Sequence, residues 1–162
     1  MKPIKVLVYT LGRTGSTLLQ DLLNNLPDSR IEGEILSSSV EAPLDFISQR
    51  ANEFAVGLYG FKVKTTHLKT NGLYPQDFLN SLEAQGWKLI HLKRENIFNM
   101  VVSYMYATSS RQWFSYKSKL GFLRQRPKVM LDTGKLMALL EENIVRNSLD
   151  DSLLAKRDHL KL

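Results

Sequence analysis

Apolar positions along the chain follow two different periods, one typical of strands and one typical of helices. Short apolar and aromatic runs of strand length occupy residues 4–10, 57–64 and 87–93. Helical spacing of apolar residues marks 15–26, 42–54, 75–86, 96–110 and 132–157. Strands that alternate with helices predict an α/β protein with a mostly parallel central sheet and helices on both faces, a three-layer α/β/α fold.

The pattern also predicts a loop, the apolar faces of two helices and one basic segment without a clear period. Residues 28–39, "DSRIEGEILSSS", contain the turn formers of a loop. Within 96–110, we expect one buried stripe formed by Ile97, Phe98, Val101, Val102 and Met105. The leucines of 15–26 form one helix face by their spacing; they are Leu18, Leu19, Leu22, Leu23 and Leu26. Residues 111–128 are basic and show no clear period.

Length and composition narrow the class of protein. A chain of 162 residues with 43% hydrophobic and 23% charged residues fits one globular domain, residues 1–162. No apolar stretch approaches the ~20 residues needed to span a bilayer, so we expect no membrane span. The absence of cysteine excludes disulfides and thiolate metal sites and fits a reducing interior, so we expect a cytoplasmic protein. A net charge of +6 favours an anionic ligand.

The turn after the first strand, "LGRTGSTLL", has the composition of a phosphate-binding loop. Gly12 and Gly15 allow backbone amides to approach an anion, and the helix that follows adds free N–H groups and a positive dipole end. Ser16 and Thr17 offer hydroxyls, and Arg13 offers a guanidinium fork. This turn predicts a P-loop-like arrangement, although the lysine of the Walker pattern is absent. The alternative is a strand-to-helix turn that binds no ligand.

A second anion-binding candidate follows the strand 87–93. Arg94 comes directly after this strand, and Ser103 lies about two turns into the next helix, on a polar stripe with Asn96 and Asn99. Ligands of parallel sheets bind beyond the carboxyl ends of the strands. Two phosphate sites at this edge would suit a nucleotide substituted at both ends. A surface arginine with a solvated serine is the alternative interpretation.

Together these motifs resemble a known family, the sulfotransferases that use 3′-phosphoadenosine 5′-phosphosulfate (PAPS). "GRTGSTLL" is similar to their 5′-phosphosulfate loop, R-[ST]-G-S-[ST]-x-L, and "LKRENIFNMVVSYMYA" resembles their 3′-phosphate motif. The segments "GEIL", "YGFKVK" and "ATSSRQW" resemble the bacterial carbohydrate type, which includes trehalose and Nod-factor sulfotransferases. Members of the family are usually longer, so the resemblance implies a domain that lacks the usual C-terminal part.

The resemblance implies a role for each matching residue. The 5′-phosphosulfate would be bound by Gly12, Arg13, Thr14, Gly15, Ser16 and Thr17. Arg94 and Ser103 would bind the 3′-phosphate, and Arg13 would also stabilise the leaving phosphate in catalysis. PAPS would be the sulfuryl donor, and the reaction requires no metal. Arginine at position 13, where the cytosolic branch has lysine, is consistent with a carbohydrate acceptor.

Two residues are candidates for the base that deprotonates the acceptor. Glu34 matches the glutamate proposed for the carbohydrate subgroup, although Glu32 is close enough in sequence to be confused with it. His67, in "KVKTTHL", resembles the histidine of the K-T-H motif in cytosolic sulfotransferases. We favour Glu34 and keep His67 as the alternative. Lys62 or Lys64 would assist if the end of the strand points either one inward.

Other readings of the sequence remain open. Trp113, Phe114 and Tyr116 could stack on a sugar acceptor or pack at the sheet edge. A P-loop nucleotide or small-molecule kinase is one alternative function, although it would need a loop lysine and a strand-end carboxylate for Mg²⁺. A non-catalytic nucleotide-binding relative is another. No nucleic-acid motif is recognisable, so we expect a small-molecule or carbohydrate partner and no nucleic acid.

Overall fold

The described part of the chain forms an α/β structure with an all-parallel central sheet. The structure is a computed structural model that describes residues 3–54, 56–111, 113 and 128–162. Its strands are β1 (Ile4–Thr10), β2 (Ser29–Ile31), β3 (Leu58–Val63), β4 (Trp87–Leu92) and β5 (His159–Lys161). They pair in parallel in the order β2-β3-β1-β4-β5. Helices flank the sheet, which is consistent with the predicted three-layer α/β/α fold.

The helices follow the predicted segments closely. They are α1 (Ser16–Asn24), α2 (Pro43–Glu53), α3 (Thr65–Thr70), α4 (Pro75–Ala84), α5 (Ile97–Ser110) and α6 (Thr133–Leu154). Three elements, α3, β2 and β5, lie outside the strand and helix segments predicted above, and the prediction that 28–39 is entirely loop was wrong. Among the described residues, none of these helices is both long and apolar enough to cross a bilayer.

The chain divides into two compact units. One comprises Met1–Lys93 and Asp151–Leu162 and contains the whole sheet; the other comprises Arg94–Asp150 and contains α5 and most of α6. The core of the sheet unit is built on β1 and β3, which are buried almost continuously, as expected of parallel strands covered on both faces. Trp87 at the start of β4 packs edge-on against Phe61, with ring centroids 5.2 Å apart.

Helix α1 attaches to the edge of the sheet through amide side chains. Asn24 Nδ2 donates to the Ile31 carbonyl at 2.9 Å, and Asn24 Oδ1 accepts from the Ile31 N–H at 2.6 Å. Ile31 belongs to the edge strand β2, whose outer backbone groups need such partners. Leu18 and Leu22, in contrast, are 64% and 57% exposed. Leucine spacing therefore predicted the helix correctly but not the face that packs on the sheet.

Helix α5 buries a stripe that only partly matches the expected one. Val101 and Met105 are buried as predicted. Phe98, expected in the same stripe, is 53% exposed, and Met100 is buried instead. The helix is apolar on more than one side, so spacing alone did not determine which residues are covered.

Gly60 is required where β1 and β3 lie side by side. A Cβ at this position would come within 2.5 Å of the Val6 carbonyl oxygen, a backbone atom that cannot move aside. We expect Gly60→Ala to lower the free energy of unfolding by about 1–3 kcal/mol, as measured by urea denaturation. Gly33→Ala is the control, because a Cβ there meets no atom within 4 Å. Equal stability of the two variants would contradict the prediction.

Candidate functional site

The Gly-rich turn lies at the carboxyl end of β1, as predicted. It connects Thr10 to Ser16 and contains two residues with left-handed backbone conformations, Arg13 with φ 66° and Gly15 with φ 96°. For an arginine this conformation costs on the order of 1–3 kcal/mol, and such strain is common at functional sites. Gly15 is the N-cap of α1 and makes no side-chain cap. The start of α1 therefore has the positive dipole end that favours an anion.

Side-chain hydroxyls hold the turn against the neighbouring strand. Thr10 Oγ1 lies 2.6 Å from Thr14 Oγ1 and 2.9 Å from the Leu92 carbonyl at the end of β4. Thr14 Oγ1 also donates to the Leu11 carbonyl at 3.1 Å. The Thr14 hydroxyl thus stabilises the turn, and a contribution of Thr14 to anion binding would come from its N–H. Ser16 is buried, whereas Gly12 and Thr17 are partly exposed.

The turn and the end of β3 lie at the same edge of the sheet. Tyr9 pairs with Val63 in the parallel register of β1 and β3. The buried Tyr9 hydroxyl lies 2.6 Å from Thr65 Oγ1, at the start of α3. This hydrogen bond joins the strand that leads into the turn to the helix that carries His67.

Glu34 reaches the same edge because the chain continues beside β3 after β2 ends. The Glu32 N–H donates to the Gly60 carbonyl at 2.7 Å, and the Lys62 N–H donates to the Gly33 carbonyl at 3.1 Å. The next residue, Glu34, therefore lies beside the end of β3. Its location at the sheet edge follows from these backbone contacts rather than from a regular element.

The structure brings the two candidate bases together. Glu34 Oε1 lies 2.8 Å from Lys64 Nζ, and Glu34 Oε2 lies 3.4 Å from His67 Nε2. On the other side of the ring, the Lys64 N–H donates to His67 Nδ1 at 3.3 Å. We call Glu34, Lys64 and His67 the carboxylate cluster. Glu34 and His67, the two alternative bases predicted from the sequence, are therefore neighbours in one cluster.

Burial and neighbouring charges together set the pKa values in the carboxylate cluster. Burial raises the pKa of Glu34, but the hydrogen bond and charge of Lys64, with the charges of His67 and Lys62, outweigh it and hold the pKa below its ordinary value. Burial lowers the pKa of His67, which the charge of Glu34 only partly offsets. Burial likewise lowers the pKa of Lys62, which is 6% exposed. Glu34 is therefore an ionised carboxylate at neutral pH, and His67 is a neutral imidazole.

Glu32, the other glutamate of this segment, has a structural environment. Its Oε2 accepts from the Tyr59 hydroxyl at 2.6 Å and from Arg50 Nε at 3.2 Å, and Arg50 Nη2 bonds to its Oε1. Glu32 is buried within this network, whereas Glu34 is partly exposed. Glu34 is therefore the more accessible of the two glutamates.

Glu34 borders an open groove between α1 and the chain after β2. The groove has a volume of about 290 Å³ and is lined by polar residues that include Gln20, Asn24 and Arg30. A larger cavity of about 750 Å³ lies near Trp87 and Lys156. Trp87 is the first residue of β4, so this cavity lies toward the opposite, amino-terminal edge, and none of the predicted site residues lines it. The smaller groove is the one adjacent to the carboxylate cluster.

Arg94 and Ser103 belong to the second compact unit. Arg94 follows the last residue of β4 by two positions, and Ser103 is on α5, with both side chains partly buried. Asn96, predicted to share a polar stripe with Ser103, is the N-cap of α5 and accepts from the Asn99 N–H at 2.8 Å. The role of Arg94 and Ser103 at a 3′-phosphate stays a prediction.

The aromatic candidates for acceptor stacking are only partly described. Trp113 lies edge-on to Tyr104 of α5, with ring centroids 6.1 Å apart. It therefore has an aromatic partner within its own unit, and 44% of it is exposed. Phe114 and Tyr116 lie outside the described residues.

Sequence reasoning missed two features of this site. It treated Lys64 only as a possible assistant and did not anticipate that Lys64 contacts both candidate bases, one through Nζ and one through its backbone. It also missed the bond between Tyr9 and Thr65. The Lys64–His67 contact is local, between the N-cap and the third residue of α3, whereas no local pattern marks the Glu34–Lys64 and Tyr9–Thr65 contacts. In comparisons with known proteins, no protein-family model matches the chain, and no curated protein matches it significantly.

Proposed function

We propose that this protein is a sulfotransferase that moves a sulfuryl group from PAPS to a hydroxyl of a carbohydrate or other small acceptor. The observation that carries the proposal is the location of two chemically different groups at one edge of the sheet. The turn 12–17 places the left-handed residues Arg13 and Gly15 directly before the N-terminus of α1, and Glu34 is a partly exposed carboxylate beside the end of β3. The resemblance of the motifs supports the same function.

The turn would bind the donor and stabilise charge on its phosphate. The N–H groups at the start of α1, with the hydroxyls of Ser16 and Thr17, suit the 5′-phosphosulfate. Arg13 provides a cation where negative charge develops on the phosphate oxygen that leaves. PAPS, when bound, supplies the activated sulfuryl group. Proteins can perform such a transfer by positioning and electrostatics, without a covalent intermediate.

Glu34 would act as the base that receives the acceptor proton. As the acceptor oxygen forms its bond to sulfur, the bond from sulfur to the phosphate oxygen breaks, and the hydroxyl proton passes to the Glu34 carboxylate. The products are a sulfate ester and adenosine 3′,5′-bisphosphate. The groove beside Glu34 supports an acceptor with several hydroxyls, because amide and charged side chains line it.

Selectivity for the 3′-phosphate tests the proposal against its alternatives. We expect adenosine 3′,5′-bisphosphate to bind more tightly than ADP in titration calorimetry, without a requirement for Mg²⁺. A preference for ADP that depends on Mg²⁺ would instead support a nucleotide kinase. Binding of the bisphosphate without any sulfuryl transfer would support a non-catalytic relative.

Arg94→Ala should remove this selectivity. We expect the affinity for adenosine 3′,5′-bisphosphate to fall about 10- to 100-fold, because a charged hydrogen bond to phosphate contributes about 1.5–3 kcal/mol. Affinity for ADP, which has no 3′-phosphate, should change little. Arg146→Ala is the matched control, because Arg146 is an exposed arginine of the same unit that pairs with Glu142. Equal losses of affinity for both nucleotides would contradict the role of Arg94 in binding the 3′-phosphate.

A further inference from the structure

His67 lies between a backbone N–H and the Glu34 carboxylate. Its Nδ1 accepts from the Lys64 N–H at 3.3 Å, and its Nε2 lies 3.4 Å from Glu34 Oε2. From this geometry we propose that His67 is a positioning residue that orients Glu34, and that it does not accept the acceptor proton. This inference rests on the proposed function, since it assigns a role within the same site.

The hydrogen bond to Nδ1 determines which tautomer the ring adopts. A nitrogen that accepts a hydrogen bond carries no proton, so the proton of the neutral imidazole is on Nε2. That proton faces the Glu34 carboxylate. The one nitrogen that could receive a proton is already occupied by the backbone of Lys64. A neutral ring in this state can donate to Glu34, but it cannot act as a base toward a substrate.

A second contact holds the helix of His67 against the segment that carries Glu34. Asn71 Nδ2, at the end of α3, donates to the His67 carbonyl at 2.8 Å and to the Leu36 carbonyl at 2.9 Å. Asn71 Oδ1 accepts from the Val40 N–H at 2.8 Å. The segment after Glu34 is thus attached to α3 by its backbone. This attachment links the segment after Glu34 to the helix that carries His67.

The two oxygens of Glu34 therefore have different partners. Lys64 Nζ neutralises Oε1, and the His67 ring faces Oε2. A carboxylate held on both sides loses rotational freedom before a substrate arrives. Each oxygen retains a further lone pair that can receive a proton. The arrangement separates orientation, provided by His67 and Lys64, from proton transfer, provided by Glu34.

Two substitutions at position 67 separate positioning from base catalysis. His67→Gln keeps an N–H donor near the site of Nε2, whereas His67→Asn keeps only an acceptor near the site of Nδ1. We expect kcat of H67Q to stay within about tenfold of the wild type and kcat of H67N to fall about 100-fold, because the carboxylate is misplaced. The acidic limb of the pH–rate profile should remain in H67Q, since it reports Glu34. The control is His159→Gln, because His159 lies on the edge strand β5 and outside the carboxylate cluster.

Measurements of thermal unfolding and of ligand affinity distinguish a folding defect from a loss of catalysis. The Tm of each variant and its affinity for adenosine 3′,5′-bisphosphate are compared with those of the wild type. Both should be unchanged in H67Q. Nitrogen NMR of the wild type should show the Nε2–H tautomer of His67. An Nδ1–H tautomer, or an H67Q variant as inactive as E34Q, would overturn the role of His67 alone. A wild-type chain that transfers no sulfuryl group would overturn the proposed function, and the positioning role with it.

Discussion

Replacing Glu34 by glutamine is expected to abolish sulfuryl transfer while affinity for adenosine 3′,5′-bisphosphate stays nearly unchanged. Glutamine has the same size as glutamate and can still contact Lys64, but it cannot accept a proton. A positioned general base contributes about 10²–10⁴-fold to rate, so kcat should fall by this factor. Steady-state kinetics at neutral pH, combined with calorimetry of the bisphosphate, measures the two effects separately.

The control for this variant is Glu41→Gln. Glu41 is an exposed glutamate in the loop that precedes α2, outside the carboxylate cluster, and its replacement should leave kcat unchanged. An undiminished rate in E34Q would move proton transfer to His67. That result would also remove the positioning role of His67, since the two residues would have exchanged functions.

Replacing Glu32 by glutamine should lower the free energy of unfolding by about 2–4 kcal/mol at neutral pH. Glu32 is 8% exposed and accepts hydrogen bonds from Tyr59 and Arg50. The glutamine amide would place an N–H group against one of these donors and would remove the buried partner of Arg50, leaving its surface contact with Glu53. The Arg50 side chain is 29% exposed, so water recovers part of the loss. Urea denaturation of both proteins measures the difference.

The same variant has a defined dependence on pH. Burial raises the pKa of Glu32, but hydrogen bonds from Arg50 and Tyr59 and the charge of Arg50 outweigh it, so the folded pKa lies below the unfolded one. The stabilisation is therefore present above the unfolded pKa and is lost as the pH falls through the folded pKa. We expect the difference between wild type and E32Q to shrink as the pH falls from neutral through the folded pKa of Glu32.

Glu53→Gln is the matched control for this experiment, because Glu53 pairs with the same arginine. Its contact with Arg50 is at the surface, with Oε2 2.6 Å from Arg50 Nη1 and the Glu53 side chain 40% exposed. Exposed pairs of this kind contribute at most about 1 kcal/mol. Equal destabilisation by E32Q and E53Q, or a difference that does not change with pH, would show that the buried network has no special role.

Long elements were predictable because their patterns are local. The runs at 4–10 and 87–93 became β1 and β4, and the segment 75–86 became α4 within a few residues of the predicted ends. Elements β2, β5 and α3 lie outside the predicted segments because three, three and six residues are too few to show a period. Strand β2 is defined by its pairing with β3 and not by a pattern of its own.

The burial of particular side chains was less predictable. Leucine spacing identified α1, but the exposed Leu18 and the amide bonds of Asn24 to Ile31 reflect the needs of an edge strand. The different environments of Glu32 and Glu34, two residues apart in the same segment, were also not predictable from the sequence. Sequence reasoning could not separate their roles, because the difference lies in tertiary partners: Arg50 pairs with Glu32, whereas Lys64 pairs with Glu34.

The sequence by itself determined the alternation of strands and helices, the α/β class and the location of the Gly-rich turn after β1. These features depend on residues that are neighbours along the chain. Only the tertiary structure decided that Glu34 and His67 belong to one cluster, and that Lys64, the N-cap of the helix of His67, also pairs with Glu34. The physical reason is that β2 and β3 become neighbours through backbone hydrogen bonds and burial, which bring together residues that no local pattern connects.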